Sequence, residues 1–159
     1  MAIADVRNTI NPTEQRTGCL LRVFVVENHA DTREFLTFML EELGHKVVVA
    51  ETMAKALREF PNSGCNVLIS DIGLPDGDGW QLMAELRAAG PVYAIAMSGY
   101  GMMSDRNRSK AAGYRHHLVK PMGMEQLEAV LKEASDELRG DRRDPTDQAS
   151  PFLVSASPL

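Results

Sequence analysis

Cysteine is scarce: the 159 residues hold two, Cys19 and Cys65, without a CxxC spacing. That pair suggests neither a disulfide framework nor a zinc site, and a reducing, cytoplasmic setting is expected. Positive charge is also in short supply, with 17 Lys and Arg against 22 Asp and Glu and a formal net charge of −5. Binders of phosphate backbones usually carry a clustered basic face, so nucleic acid is not expected as a partner. Long apolar runs are missing as well. Nothing approaches the roughly 18 consecutive apolar residues of a membrane helix. The first twenty residues contain Asp5, Arg7, Glu14 and Arg16, without the apolar stretch of a secretion signal. Neither membrane association nor export is expected. What is present is a hydrophobic content of 44%, at a length that suits one packed domain and falls short of two.

From Leu21 onward, apolar runs alternate with amphipathic ones. Strands are predicted over 21–27, 46–50, 66–71, 92–97 and 114–119, and helices over 31–43, 53–60, 78–89, 104–112 and 123–139. Single helices between strands imply right-handed crossovers and a parallel five-stranded sheet covered on both faces. Asp31 and Thr32 are placed to cap the first helix and Gly44 to stop it, while Gly90-Pro91 and Gly113 end the third and fourth. Residues 1–20 are mixed and polar and read as a flexible lead. Residues 140–159, rich in Pro, Ser, Asp and Arg, read as a disordered tail. The domain is therefore expected over 21–139, with nothing after it long enough for an output domain.

Four polar residues fall at predicted strand ends. Glu27 closes the run from Leu21, and Asp71 closes Val67-Leu-Ile-Ser-Asp71, directly before the turn Ile72-Gly-Leu-Pro-Asp-Gly-Asp-Gly79. Ser98 follows Ala96-Met97, and Lys120 ends Leu118-Val-Lys120-Pro121. In open parallel sheets this C-terminal rim is where chemistry gathers. A carboxylate attacks phosphorus only when its charge and that of the incoming phosphoryl group are neutralised together. Magnesium takes oxygen ligands and keeps several waters, so Glu27, Asp71 and the backbone carbonyl of Gly73 would suffice as protein ligands. Lys120 would then face the phosphoryl oxygens as a point charge while Ser98 donates its hydroxyl to another. The Lys120-Pro121 bond is a candidate cis peptide.

This set resembles the receiver domain of bacterial response regulators, of the stand-alone or hybrid-kinase type, over the whole of 21–139. The resemblance implies a doubly wound (βα)5 flavodoxin-like fold with strand order 2-1-3-4-5. By position Asp71 is similar to the phosphoacceptor, Ser98 to the switch hydroxyl, Lys120 to the phosphate-sensing lysine and His117 to the rotating aromatic residue. Glu27 matches the first of an acidic pair that holds Mg2+. The implied partners are a histidine kinase or histidine phosphotransfer protein and a downstream protein target, met through the fourth helix, fifth strand and fifth helix. Such a chain is a signalling module that assists its own phosphorylation, not an enzyme.

The pattern breaks at residue 28, where Asn28 stands in place of the second acid. A carboxamide coordinates magnesium without bringing charge, so weaker metal binding is expected, with Asn28 a further candidate ligand. The alternative this raises is a phosphorylation-independent receiver-like binding module. A magnesium-dependent aspartyl phosphohydrolase of the haloacid dehalogenase pattern is disfavoured, because Gly73 stands where that chemistry wants a second aspartate. Tyr100, two residues beyond Ser98, is expected to cover the site. His116 and His117 are strand neighbours and should point to opposite faces.

Overall fold

The computed structural model describes residues 20–99 and 103–140. The flexible lead, the disordered tail and the covering role of Tyr100 fall outside these residues, apart from Leu20 and Gly140 at the two edges. In chain order the elements are β1 (Arg22–Val26), α1 (Ala30–Glu42), β2 (Lys46–Ala50), α2 (Met53–Glu59), β3 (Val67–Asp71), β4 (Gly73–Leu74), β5 (Gly77–Asp78), α3 (Gly79–Ala89), β6 (Tyr93–Ser98), α4 (Met103–Ala112), β7 (His116–Val119) and α5 (Met124–Gly140). The five long strands are all parallel, in the order β2-β1-β3-β6-β7. Counting only those five, this is the expected order 2-1-3-4-5.

Strands β3 and β6 are buried along their whole length because helices cover both faces. Side chains alternate between those faces. Val23 and Val25 of β1, Val67 and Ile69 of β3, and Leu118 of β7 pack with Leu36, Met39 and Leu40 of α1 and Leu127 and Leu131 of α5. Phe24, Val26, Leu68, Ala94 and Ala96 pack instead with Leu82, Met83 and Leu86 of α3. Gly44 (φ 90°) and Gly113 (φ 107°) end α1 and α4 in the left-handed region, as their positions suggested.

Three local readings change. The α1 helix starts one residue earlier than expected, with His29 at its N-cap and no side-chain cap. Asp31 lies within the first turn, where its charge faces the positive end of the helix without capping it. The second helix tightens into a 3-10 turn over Phe60–Asn62, with Pro61 in its first turn, where the missing N–H costs nothing. The turn after Asp71 contains the two-residue antiparallel ladder of β4 and β5. Its aspartates are both caps: Asp78 accepts from the Gln81 amide at 2.7 Å, and Asp76 accepts from the Met53 and Ala54 amides at 2.8 and 2.9 Å. Asp76 thereby ties the loop following β3 to the start of α2.

Candidate functional site

Strand register assembles the site. Val26 lies opposite Ser70, Asp71 opposite Met97 and Ser98 opposite Val119, so Glu27, Asp71, Ser98 and Lys120 stand side by side at one rim. The Lys120 amide donates to the Ser98 carbonyl at 2.8 Å and extends that alignment past β7. The Lys120-Pro121 bond is cis, as expected.

Glu27 has no exposed surface and Asp71 is 7% exposed. Lys120 Nζ donates to Glu27 Oε2 at 2.5 Å and to Asp71 Oδ2 at 2.7 Å, so two buried carboxylates share one ammonium and the three groups, when all are ionised, keep one negative charge. The other oxygens are held too. Gly73 N–H donates to Asp71 Oδ1 at 3.1 Å, and His29 N–H donates to Glu27 Oε1 at 3.1 Å. Arg33 donates to the carbonyls of Glu27 and Asn28, pinning the turn into α1.

Burial pushes the Asp71 carboxyl up and Lys120 draws it down, but Glu27 pushes it up again, and the net lies above the ordinary carboxylate range. Burial acts on Glu27 in the same sense. There the Lys120 and His29 hydrogen bonds win and hold it below the usual range. A proton entering the cluster therefore settles on Asp71. Burial alone would lower the Lys120 ammonium, but its two carboxylate partners hold it above its ordinary value.

Ser98 and His117 meet on the opposite face of the sheet. Ser98 Oγ is 2.8 Å from His117 Nε2, His117 Nδ1 is 2.9 Å from Ser109 Oγ on α4, and the Trp80 indole N–H donates to that same hydroxyl at 3.0 Å. Arg108 stacks over the Trp80 ring at 3.9 Å. A hydrogen-bonded line thus runs from the site rim to the surface of α3 and α4. His116 points the other way, to Glu133 of α5 at 2.9 Å, as strand alternation requires.

A cation fits this site on the structure's own terms, since the two carboxylates already converge on one positive charge. Glu27, Asp71 and His29 place ligand atoms within 4.8 Å of one another. His29 was not anticipated; its signal was adjacency to the Glu27-Asn28 pair. Asn28 is exposed, and its backbone carbonyl is committed to Arg33. Ser109 and Trp80 were also missed, because nothing local in the chain marks a contact made across 29 residues.

A family model described as the response regulator receiver domain matches residues 23–132. The chain is 36% identical over 115 residues to the KDP operon transcriptional regulatory protein KdpE of Escherichia coli (strain K12), covering 72% of this chain and 51% of that one. It therefore spans about half the length of that relative. It is 33% identical over 110 residues to an uncharacterized 14.6 kDa protein of Leptolyngbya boryana, covering 67% of this chain and 84% of that protein. Among solved structures, the CheY-like receiver domain protein of Methanospirillum hungatei JF-1 matches with a TM-score of 0.72 at 27% identity, over 77% of this chain and 99% of that one.

Proposed function

The chain belongs to the response regulator receiver family, and from that premise we propose that it is a cytoplasmic signalling module in which Asp71 takes a phosphoryl group from a phosphohistidine. The observation that carries this reading is the Lys120 ammonium held at 2.5 and 2.7 Å from the Glu27 and Asp71 carboxylates.

In the transfer an Asp71 carboxylate oxygen forms a bond to phosphorus, the phosphorus–nitrogen bond of the donor breaks, and the donor imidazole leaves with a proton. Burial and the Glu27 charge keep the Asp71 carboxyl above its ordinary range, which makes its carboxylate a better nucleophile. Lys120, kept charged by its partners, neutralises the arriving phosphoryl oxygens, and Ser98 donates its hydroxyl to one of them. Glu27, Asp71 and the Gly73 carbonyl, with Asn28 or His29 beside them, would hold Mg2+. When bound, the ion supplies positive charge to the phosphoryl oxygens. As the Ser98 hydroxyl turns toward the phosphoryl group, His117 re-pairs, and the α4, β7 and α5 face changes.

The donor needs a docking place beside Asp71. A recess of about 410 Å3 opens next to Lys120, lined by Phe35, Leu36 and Met39 of α1 with Pro121 and Met122. Phe35 and Phe38 of α1 are each 57% exposed, an apolar surface suited to a helix of a histidine kinase or phosphotransfer protein.

The test is incubation with acetyl phosphate and magnesium, followed by intact mass measurement. Wild type should gain one hydroxylamine-labile phosphoryl group and Asp71→Asn none, with the variant's fold unchanged. A phosphoryl group retained on the variant would remove Asp71 from the role. Absence of uptake by wild type, restored by Asn28→Asp, would favour the second reading: a receiver whose signalling no longer depends on phosphorylation, motivated by the neutral residue at position 28.

A further inference from the structure

We propose that His29 Nδ1 joins Glu27 and Asp71 as a metal ligand, and that this mixed nitrogen–oxygen set selects a borderline transition dication such as Zn2+ over Mg2+. The metal preference stands without phosphoryl transfer; its bearing on phosphorylation rests on the reading of Asp71 as phosphoacceptor.

The backbone places the imidazole. His29 is the N-cap of α1, its N–H donates to Glu27 Oε1 at 3.1 Å, and Arg33 of the same helix holds the carbonyls of Glu27 and Asn28. The ring returns to the same carboxylate oxygen, with Nδ1 3.0 Å from Glu27 Oε1. Zinc bonds imidazole nitrogen and carboxylate oxygen at about 2.0–2.2 Å, so two adjacent ligands of one ion stand about 3 Å apart. The His29–Glu27 pair already has that separation. An Asp71 oxygen completes a set whose ligand atoms all lie within 4.8 Å of one another. Ligands on opposite sides of an ion are about 4.2 Å apart, so a closure of about half an ångström suffices. Among the described residues this is the one group of three such ligands.

Two features of one turn favour the same class of ion. Magnesium is a hard cation that selects oxygen, above all charged oxygen. Residue 28 supplies a neutral, exposed carboxamide, which adds no charge for it. Residue 29 supplies an imidazole, which suits zinc and nickel and serves magnesium poorly. The first removes what magnesium favours, and the second adds what zinc favours.

Lys120 does not bar the ion. Its ammonium takes Glu27 Oε2 and Asp71 Oδ2, which leaves Glu27 Oε1 beside His29 and Asp71 Oδ1 beside the Gly73 N–H. The His29 side chain is 71% exposed, so the remaining positions on the ion are open to water or to phosphoryl oxygens, as in metal sites that act on a substrate. The histidines of β7 are differently engaged: His116 pairs with Glu133, and His117 meets the hydroxyls of Ser98 and Ser109.

The experiment uses the full, untagged chain. Calorimetric titration should show tighter binding of Zn2+ than of Mg2+, and His29→Phe should reduce the ratio of the two affinities about tenfold or more. His29→Asp should lower the same ratio through stronger Mg2+ binding, because it restores a charged oxygen. The ring is exposed and its side chain caps no helix amide, so circular dichroism should be unchanged in both variants. Imidazole nitrogen NMR should show Zn2+ shifting the ring of His29 and leaving that of His117 in place. An affinity ratio unchanged in both variants, or ring shifts confined to other histidines, would overturn the proposal and reduce the His29–Glu27 contact to a hydrogen bond. Labelling of wild type by acetyl phosphate should reach half its maximum at a lower concentration of Zn2+ than of Mg2+; the reverse order would overturn the bearing on phosphorylation. No labelling with either ion would refute the phosphoacceptor reading and leave the metal preference standing.

Discussion

Replacing Lys120 by Met removes the ammonium and keeps an apolar stem of similar length. Glu27, with no exposed surface, and Asp71, at 7%, are then left without their shared cation. Stranding buried charges by deleting a partner costs about 3–5 kcal/mol. The cluster has a way to limit that cost, because it can take up a proton. Protonating a carboxyl whose unfolded pKa is about 3.9 costs about 1.36 kcal/mol per pH unit above that value, so the ceiling is about 4 kcal/mol at pH 7 and about 1.5 kcal/mol at pH 5. The proton goes to Asp71, whose carboxyl already lies above the ordinary range through burial.

The sign of the pH dependence follows. In the variant the folded Asp71 pKa is raised above its unfolded value, so the penalty is absent below about pH 4 and grows as pH rises through the folded value. Wild type carries three contributions. Asp71 is already held high, so its contribution is present below its unfolded value of 3.8 and is lost as pH rises through its folded value. Glu27 is held low, so its stabilisation is present above its unfolded value of 4.5 and is lost as pH falls through its folded value. Lys120 is held high, so its contribution is present below 10.5 and is lost as pH climbs through its folded value. Urea unfolding followed by Trp80 fluorescence should give a loss of about 3–4 kcal/mol at pH 7 that shrinks to about 1.5 kcal/mol or less at pH 5. Lys120→Met/Asp71→Asn should recover more than half of the loss at pH 7. A loss equal at the two pH values, or larger at pH 5, would refute the picture of two buried carboxylates sharing one ammonium.

Gly79→Ala would place a Cβ 2.6 Å from the Asp71 carbonyl oxygen and 3.1 Å from Ile72 Cα. It should destabilise by about 1–3 kcal/mol and slow phosphoryl uptake; an unchanged melting curve would count against that close approach. Asn28→Asp adds a ligand charge and should tighten magnesium binding about tenfold, read by Trp80 fluorescence, whereas unchanged affinity would place residue 28 away from the metal. Phe35→Ala should slow transfer from a phosphohistidine donor about tenfold while leaving uptake from acetyl phosphate unaltered. Equal effects on both donors would show that Phe35 supports the site and does not dock the donor.

The strand-end residues could be read from the chain because a parallel strand buried on both faces has a near-continuous apolar signature, and its first polar residue marks the rim. Glu27, Asp71, Ser98 and Lys120 each end such a run, and parallel register aligns the four. Alternation then sorts them, a step that needs the sheet itself. Glu27, Asp71 and Lys120 continue the parity of Val25, Ile69 and Leu118 and fall on the α1 and α5 side. Ser98 continues the parity of Ala94 and Ala96 on the side of α3. The Ser109 hydroxyl and Trp80 indole were beyond sequence reasoning for that reason: they belong to helices that only the crossover geometry brings over Ser98 and His117. The sheet therefore separates two tasks. The charged groups are confined to the face that also carries exposed Phe35 and Phe38, and the uncharged hydroxyl–imidazole line lies on the face leading to α4. Ser98 stands at the strand end on that second face, and its hydroxyl lies 2.8 Å from His117, whose other ring nitrogen meets Ser109 of α4 at 2.9 Å.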